Sequence, residues 1–402
     1  MRQPTKEQLS ICHQITNWFS DNDDQYLTIG GYAGTGKTYL ISLISNYLRN
    51  AIPKIKIGFV AFTGKASSTL MNNLEMESSL KLGFDTCGTI HSLIYKPEGE
   101  WNKKEKRFVI KRWIRKSDEE IVNSYDLIII DEASMVSAKI WNDLRQYSIP
   151  IIAVGDHGQL PPIGDNFNLM SKLDYKLSEI HRQAKGSGII DLSSFIRKNG
   201  YIPNGKYSKS VFKVDWSSAI CQKIWNNIDF LTDDVICICG FNKSRVQINN
   251  MIRKKLKYRN VIPYPTERLV CLKNNADKGV YNGQTGTLSW VMPSNKNKSK
   301  MTIVLDGTGE FYDGEVNLNC FGKADYSLMY EPVNYGKRKI YPTGDFFDFG
   351  YCISVHKSQG SEFTKVILFE ERSGYWDNEY YKRWLFTGVT RAKNSLMVIS
   401  GY

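Results

Sequence analysis

The sequence predicts an α/β fold built on parallel sheets, and three observations carry that prediction. Short, continuously apolar runs alternate with amphipathic helical stretches. The runs fall into two separate groups. Each group is interrupted by a segment of different character. In the first group, from the N-terminus to about residue 176, the strand candidates are Tyr26–Gly30, Lys56–Phe62, Asp126–Ile130 and Pro150–Val154. In the second they are Val235–Gly240, Gly350–Val355, Lys365–Phe369 and Ser395–Ser400. Runs this uniformly apolar suit strands covered on both faces, as in a parallel sheet lying between helices. No repeat of solenoid period runs through the chain.

The first interruption, Tyr95–Asp118, holds nine Lys/Arg against four Asp/Glu and includes Trp101 and Trp113. It predicts a basic β-hairpin or small subdomain. The second, residues 259–344, is rich in short β-type runs, clearest at Arg268–Lys273, Gly286–Met292 and Lys300–Asp306, with the polar loop Ser294–Ser299 between the last two. A small β-barrel fits that pattern.

At 402 residues the chain is long enough for two or three domains with their own cores. No apolar run reaches the ~18–20 residues of a membrane span, and MRQPTKEQLS lacks the apolar segment of a secretory signal. A cytosolic protein is the simplest expectation. The eight cysteines agree, being dispersed apart from Cys237 and Cys239, which alternate on one strand candidate. No C-x-x-C or Cys/His cluster points to zinc, so buried, reduced thiols are expected. A net charge of +12 and a pI near 9.1 favour a polyanionic partner, and nucleic acid is the usual one.

Residues 31–38, Gly31-Tyr32-Ala33-Gly34-Thr35-Gly36-Lys37-Thr38, satisfy the phosphate-loop pattern G-x-x-x-x-G-K-S/T, with the strand candidate YLTIG before and the helical TYLISLISNYLRN after. Gly31, Gly34 and Gly36 let such a loop curl so that backbone N–H groups, that of Thr35 among them, face a phosphate chain at a helix N-terminus. Lys37 would neutralise the β- and γ-phosphates and Thr38 would ligate Mg²⁺. In DLIIIDEASM (126–135) a buried strand ends in two carboxylates. Asp131 would hold Mg²⁺ and Glu132 would orient or deprotonate an attacking water. The plain alternative is an acidic pair opening a helix. A phosphotransferase would also need these two motifs, so the acceptor has to be read from the rest of the chain.

Further along stand GDHGQLPPIG (155–164), HKSQGSEF (356–363) and FTGVTRAK (386–393). In their order and spacing, and together with the phosphate loop, they resemble the superfamily 1 helicases, and within them the RecD/Dda branch, superfamily 1B. The resemblance extends over nearly the whole chain. It implies two RecA-like P-loop NTPase cores, 1–94 with 119–176 and 177–258 with 345–402. A pin-like hairpin at 95–118 would interrupt the first core, and an SH3-like barrel at 259–344, including Tyr281–Gly286, the second.

Residue by residue, the likeness implies that Gln8 reads adenine, an amide being able to pair both N6 and N7; a polar residue on a surface helix is the alternative. Gln159 would sense the γ-phosphate, and Arg182 and Arg391 would come from the second core to stabilise charge on the transferring phosphoryl group. Gly360 and Glu362 are further nucleotide-site positions. Thr63, Lys65, Thr89, His91, Asn242, His356, Lys357 and Gln359 would grip the backbone of single-stranded DNA without reading bases. Trp101, Phe108 or Trp113 would stack on the parting base pair or else hold the insert together. His13, His157 and His181 read as structural. The implied activity is that of a monomeric, ATP- and Mg²⁺-dependent helicase moving 5′→3′ on single-stranded DNA and acting at single-strand/duplex junctions. Single-strand-binding or other replication and recombination proteins would be partners, in the cytoplasm of a bacterial or phage-infected cell. A translocase that strips proteins with little unwinding, a nucleotide-switched clamp and a P-loop kinase are the competing readings.

Overall fold

The computed structural model describes residues 3–21, 24–102, 107–162, 167–179, 188–275, 278–306, 309–325 and 344–402, with the side chains of 100–102 and 107–111 left aside. The chain forms two compact units, Met1–Ala184 and Lys185–Tyr402, so the division falls a few residues beyond the expected 176/177.

The first unit runs α1 (Lys6–Asp21), β1 (Tyr26–Gly31), α2 (Lys37–Ala51), β2 (Ile57–Ala61), α3 (Gly64–Met76), β3 (Thr86–Thr89) and α4 (Ile90–Ile94). Then follow β4 (Tyr95–Asn102), β5 (Arg107–Arg115), α5 (Asp118–Val122), β6 (Leu127–Asp131), α6 (Ala138–Arg145), β7 (Ile151–Gly155) and β8 (Tyr175–Leu177). Six of these strands form one parallel sheet in the order β3-β2-β6-β7-β1-β8. Alternation splits its residues between two cores. Ile57, Phe59, Leu127, Ile129, Ile152 and Val154 face one side, while Val60, Ile128, Ile130, Ile151 and Ala153 face the other. That two-sided burial is why the strands read as unbroken apolar runs. β3 and β8 were not legible: TCGT and YKL lie at the sheet's two edges and are too short and polar to carry a period.

β4 and β5 pair antiparallel from Tyr95↔Arg115 to Asn102↔Arg107, as expected for a hairpin in this stretch. It is rooted in the first unit, where the Tyr147 hydroxyl donates to the carbonyls of Ile94 at 3.2 Å and Lys116 at 3.1 Å.

The second unit runs α7 (Gly188–Asn199), β9 (Gly205–Lys206), β10 (Val211–Asp215), α8 (Ala219–Asn227), β11 (Val235–Cys239), α9 (Asn242–Lys255), β12 (Arg268–Cys271), β13 (Thr285–Asn295), β14 (Lys298–Leu305) and β15 (Phe311–Asn317). It continues through β16 (Phe347–Phe349), β17 (Cys352–Ser354), α10 (Val355–Ser358), β18 (Phe363–Phe369), α11 (Asn378–Val389) and β19 (Ala392–Ser400). Its main sheet has the order β17-β11-β18-β19-β10-β9, parallel except for β9. The antiparallel sheet β15-β14-β13-β12-β16 is the second interruption.

Two expectations about that insert need correction. Ser294–Ser299 is not an open loop, because β13 and β14 continue through it to pair Asn295 with Lys298. The sheet also runs past residue 344, since β16 pairs with β12. The insert shares its core with the main sheet: Leu269, Leu288 and Ile303 pack in one cluster with Cys237, Ile367 and Phe369. The sheet turns back on itself at one corner, where Asn317 N donates to Asp345 O at 2.9 Å and Asp345 N to Glu315 O at 2.8 Å.

All eight cysteines are free thiols, seven of them buried, and burial pushes Cys12 and Cys271 up to about 12, which makes them inert. Among the described residues no helix is long and apolar enough to cross a membrane.

Candidate functional site

Parallel topology decides where the motifs go. Every strand of a parallel sheet points the same way, so the segments that follow them share one edge, the usual place for a ligand. In the first unit that edge carries the phosphate loop after β1, Thr63–Lys65 after β2, His91 after β3, Asp131–Glu132 at the end of β6 and Asp156–Gln159 after β7. In the second it carries Asn242 after β11 and His356–Gln359 after β17.

The phosphate loop is held by its own backbone. The Tyr32 carbonyl accepts from Thr35 N at 3.2 Å, Thr35 Oγ1 at 2.9 Å and Lys37 Nζ at 3.1 Å. Gly34 (φ 83°) and Gly36 (φ 79°) occupy the left-handed region that side chains resist. At Gly31 a Cβ would stand 2.5 Å from Thr35 Oγ1. Thr38, in the first turn of α2, donates to Asp131 Oδ2 at 3.3 Å and so joins the loop to the end of β6. Burial, aided by the neighbouring Glu132 charge, raises the Asp131 carboxyl to about 6 against the pull of Lys37.

Glu132 has φ 54° and ψ 40°, a conformation that is costly for a non-glycine residue and concentrated at functional sites. Its Oε2 is buried and finds no hydrogen-bond partner among the described residues. A strained backbone thus aims an unsatisfied carboxylate oxygen beside the Thr38–Asp131 pair.

Gln8 is 2% exposed, which overturns the surface-helix alternative. It closes a capping box, with Thr5 N donating to its Oε1 and its own N donating to Thr5 Oγ1, each at 3.1 Å. Gln159 is buried, and its Nε2 donates to Asp156 Oδ2 at 3.2 Å. One contact here was invisible in the sequence. The His157 and Tyr32 rings meet at a centroid distance of 4.3 Å, linking the 155–164 motif to the phosphate loop. His13 packs edge-on against Tyr47 at 5.4 Å. Arg182 and His181 lie outside the described residues.

Of the remaining first-unit positions, Thr63 and Thr89 act as helix caps. Thr63 Oγ1 accepts from Ala66 N at 3.1 Å, and Thr89 forms a capping box with Ser92. Lys65 is half-buried and His91 exposed. Partial desolvation of the ring by the surrounding chain and the nearby Lys139 charge hold the His91 imidazole below its ordinary value. The Trp113 side chain is 55% exposed on β5, while the Trp101 and Phe108 side chains fall outside the described set.

In the second unit Asn242 is exposed at the start of α9. His356 Nε2 pairs with the Tyr380 hydroxyl at 2.8 Å, and burial lowers its pKa. Burial also lowers Lys357 to about 8; its Nζ donates to Asn282 Oδ1 at 3.0 Å. Gly283 (φ 86°) lies so close that a Cβ there would sit 2.9 Å from the Lys357 carbonyl, so the Tyr281–Gly286 turn of the insert buttresses this motif. Gln359 is buried, Gly360 takes φ 70°, and Glu362 lies 4.0 Å from Lys393. Arg391 is 3% exposed. It donates to the carbonyls of Thr387 at 2.9 Å and Ser361 at 3.0 Å and to Thr390 Oγ1 at 3.1 Å, all in its own unit.

Comparison with known proteins agrees with this layout. Residues 4–206, about half of the chain, match the family model described as AAA domain, and residues 349–399 match the UvrD-like helicase C-terminal domain. The RecBCD enzyme subunit RecD of Buchnera aphidicola (Schizaphis graminum) is 25% identical, over 92% of this chain and 70% of its own length. The ATP-dependent DNA helicase Pif1 of Campylobacter jejuni is 22% identical, over 91% of this chain and 86% of its own. A crystal structure of Bacteroides Pif1 bound to single-stranded DNA shares the fold with a TM-score of 0.58 at 20% identity, covering 99% of this chain and 92% of that one. The chain belongs to the AAA-domain family, and its likeness to RecD and Pif1 over nearly its whole length, with the UvrD-like C-terminal match, marks it as a RecD/Pif1-like helicase.

Proposed function

We propose that this chain couples Mg²⁺-dependent ATP hydrolysis to 5′→3′ movement along single-stranded DNA and to separation of the duplex ahead of it. The observation that carries the reading is Glu132, held in a left-handed backbone with a buried, unpartnered oxygen beside the Thr38–Asp131 pair. An enzyme that moves phosphate onto water needs such a base, and a nucleotide-switched clamp does not.

The residues present fit a magnesium nucleotide. The loop between β1 and α2 curls through Gly34 and Gly36 at positive φ and packs so tightly that a Cβ at Gly31 would meet Thr35 Oγ1, the tight glycine curl that cradles a phosphate chain. A buried carboxyl whose ionisation is opposed by burial and by a second carboxylate calls for a cation. Thr38 and Asp131 would hold that ion, which supplies counter-charge for phosphoryl transfer. Lys37 would exchange the Tyr32 carbonyl for the phosphates. Glu132 would take the proton of the attacking water, Gln8 would select adenine, and Gln159 would report the γ-phosphate. Arg182 and Arg391 would stabilise the transferring group.

We assign the strand to Thr63, Lys65, Thr89 and His91 in the first unit and to Asn242, His356, Lys357 and Gln359 in the second. The β4–β5 hairpin is the separating element and the insert sheet a barrel that buttresses the track. Direction follows from the resemblance to the RecD branch.

The test is steady-state ATP hydrolysis with and without single-stranded DNA, using Lys37→Ala as the blank, followed by unwinding of duplexes carrying a 5′ or a 3′ tail. Stimulation that vanishes in the variant, with the 5′-tailed duplex opened preferentially, is the expected outcome. Hydrolysis indifferent to DNA and RNA would sink the motor reading. Stimulation without unwinding of either duplex would leave a translocase, and nucleotide-dependent DNA affinity without turnover a clamp.

A further inference from the structure

The residues assigned to the track are hydroxyls, amides, imidazoles and lysines, which suit a sugar–phosphate backbone and leave the bases unattended. In the second unit an aromatic row lies beside two of these residues, Asn242 and His356. Its first member is Phe241, immediately before α9, in the capping position where Ser, Thr, Asp or Asn is normally selected. Phe241 provides no side-chain cap and remains 36% exposed. The Glu371 carboxylate, beyond the end of β18, accepts from the backbone N–H groups of Gly240 and Phe241 and from the Ser244 hydroxyl. This fastens the segment after β18 onto the start of α9. The Trp376 ring is thereby laid on Phe241 with a centroid separation of 5.2 Å and an interplanar angle of 26°.

The row continues. Trp376 meets Tyr380 at 5.2 Å, and Tyr380 bonds His356 Nε2 at 2.8 Å. It thus runs from the residue next to Asn242 to His356, joining two track motifs that lie far apart in sequence. The neighbouring strands β17, β11 and β18, which pair in that order, bring these segments to one edge of the sheet. Lys243 and Arg372 are exposed beside it, and so are Asp377 and Glu379, so the aromatic rings rather than a net charge mark this surface.

We propose that Phe241 and Trp376, fixed by Glu371, form a base-stacking platform for single-stranded nucleic acid on the second unit, holding the strand by its bases where Asn242 and His356 hold its backbone. Stacking on aromatic faces tolerates every base, as a motor on arbitrary sequence requires. The proposal rests on the strand-track reading above and deepens it: Phe241 opens the segment that carries Asn242, and neither Phe241 nor Trp376 is among the residues assigned there to the strand.

The test is equilibrium binding of the full chain to a fluorescent oligo-dT and to an abasic oligomer of equal length, at several salt concentrations. Wild type is compared with Phe241→Leu, Trp376→Leu and Trp376→Phe. Wild type is expected to prefer oligo-dT. Each leucine variant should lose at least about fivefold in affinity for oligo-dT, the low end for one stacked base, while affinity for the abasic strand and the salt slope stay as in wild type. Trp376→Phe, which keeps an aromatic face, should retain most of the preference. An unchanged preference in Phe241→Leu, whose exposed position tolerates the change, would overturn the platform, as would an equal loss on both oligomers in both leucine variants. Failure of wild type to bind either strand is a different result and removes the track reading itself.

Discussion

The chemistry of this chain turns on a few side chains whose surroundings set their protonation and reach. Glu132 is the sharpest case, because its left-handed backbone has no structural benefit in view and its free oxygen is buried. Glu132→Gln is expected to bind ATP like wild type and to lose about 10²–10⁴-fold in turnover, the usual range for a removed general base; nucleotide titration beside single-turnover hydrolysis reads both numbers. Lys357 offers a test by pH. Burial lowers its ammonium to about 8, below the ordinary lysine value, so in the free protein its charge is complete only below that pH and is lost as pH rises through it. A bound phosphate would restore the proton. Affinity for single-stranded DNA should therefore weaken as pH climbs from about 8, and Lys357→Arg, charged throughout, should flatten the profile.

At the scale of elements, two attachments matter. The hairpin β4–β5 presents Trp113 largely to solvent, so replacing it removes little packing. Trp113→Ala is expected to lower unwinding of a tailed duplex several-fold while leaving DNA-stimulated ATP hydrolysis intact; a parallel fall in both would reassign the ring to structure. The second attachment is the ion pair between Arg245 of α9 and Asp348 of β16, buried on both sides, where burial raises the carboxyl and the guanidinium opposes that shift. Arg245 also donates to the Lys323 carbonyl at 2.9 Å. Arg245→Met leaves a buried carboxylate alone and should cost about 3–5 kcal/mol in urea unfolding, whereas Arg245→Met with Asp348→Leu should recover much of it.

For the molecule as a whole, the net charge of +12 predicts DNA affinity that falls steeply with salt. For a single strand each neutralised phosphate adds about 0.7 to the log–log slope, so Lys65→Ala and Lys357→Ala should each reduce the measured slope by about that amount.

How much of this was legible in the sequence follows from where the information lies. β1, β2, β6 and β7 were readable because a strand buried on both faces has to be apolar at every position. The phosphate loop and the Asp131–Glu132 pair were readable because their chemistry is local: glycines for positive φ, a lysine, a hydroxyl and two adjacent carboxylates. The edge strands β3 and β8, the passage of β13 and β14 through a polar stretch, and the core shared by insert and main sheet were not readable. Each depends on partners distant in sequence, and pairing supplied from outside rescues segments that have no apolar period of their own. The site divides in the same way. Sequence alone determined which residues carry charge, hydroxyl or amide at motif spacing. Only the tertiary structure decided that Gln8 is buried, that Tyr32 meets His157, that Arg391 donates to the Ser361 carbonyl, and that Glu371 ties the segment after β18 to the start of α9, where Phe241 stacks on Trp376. Those are contacts between chain segments, set by packing rather than by neighbours along the chain.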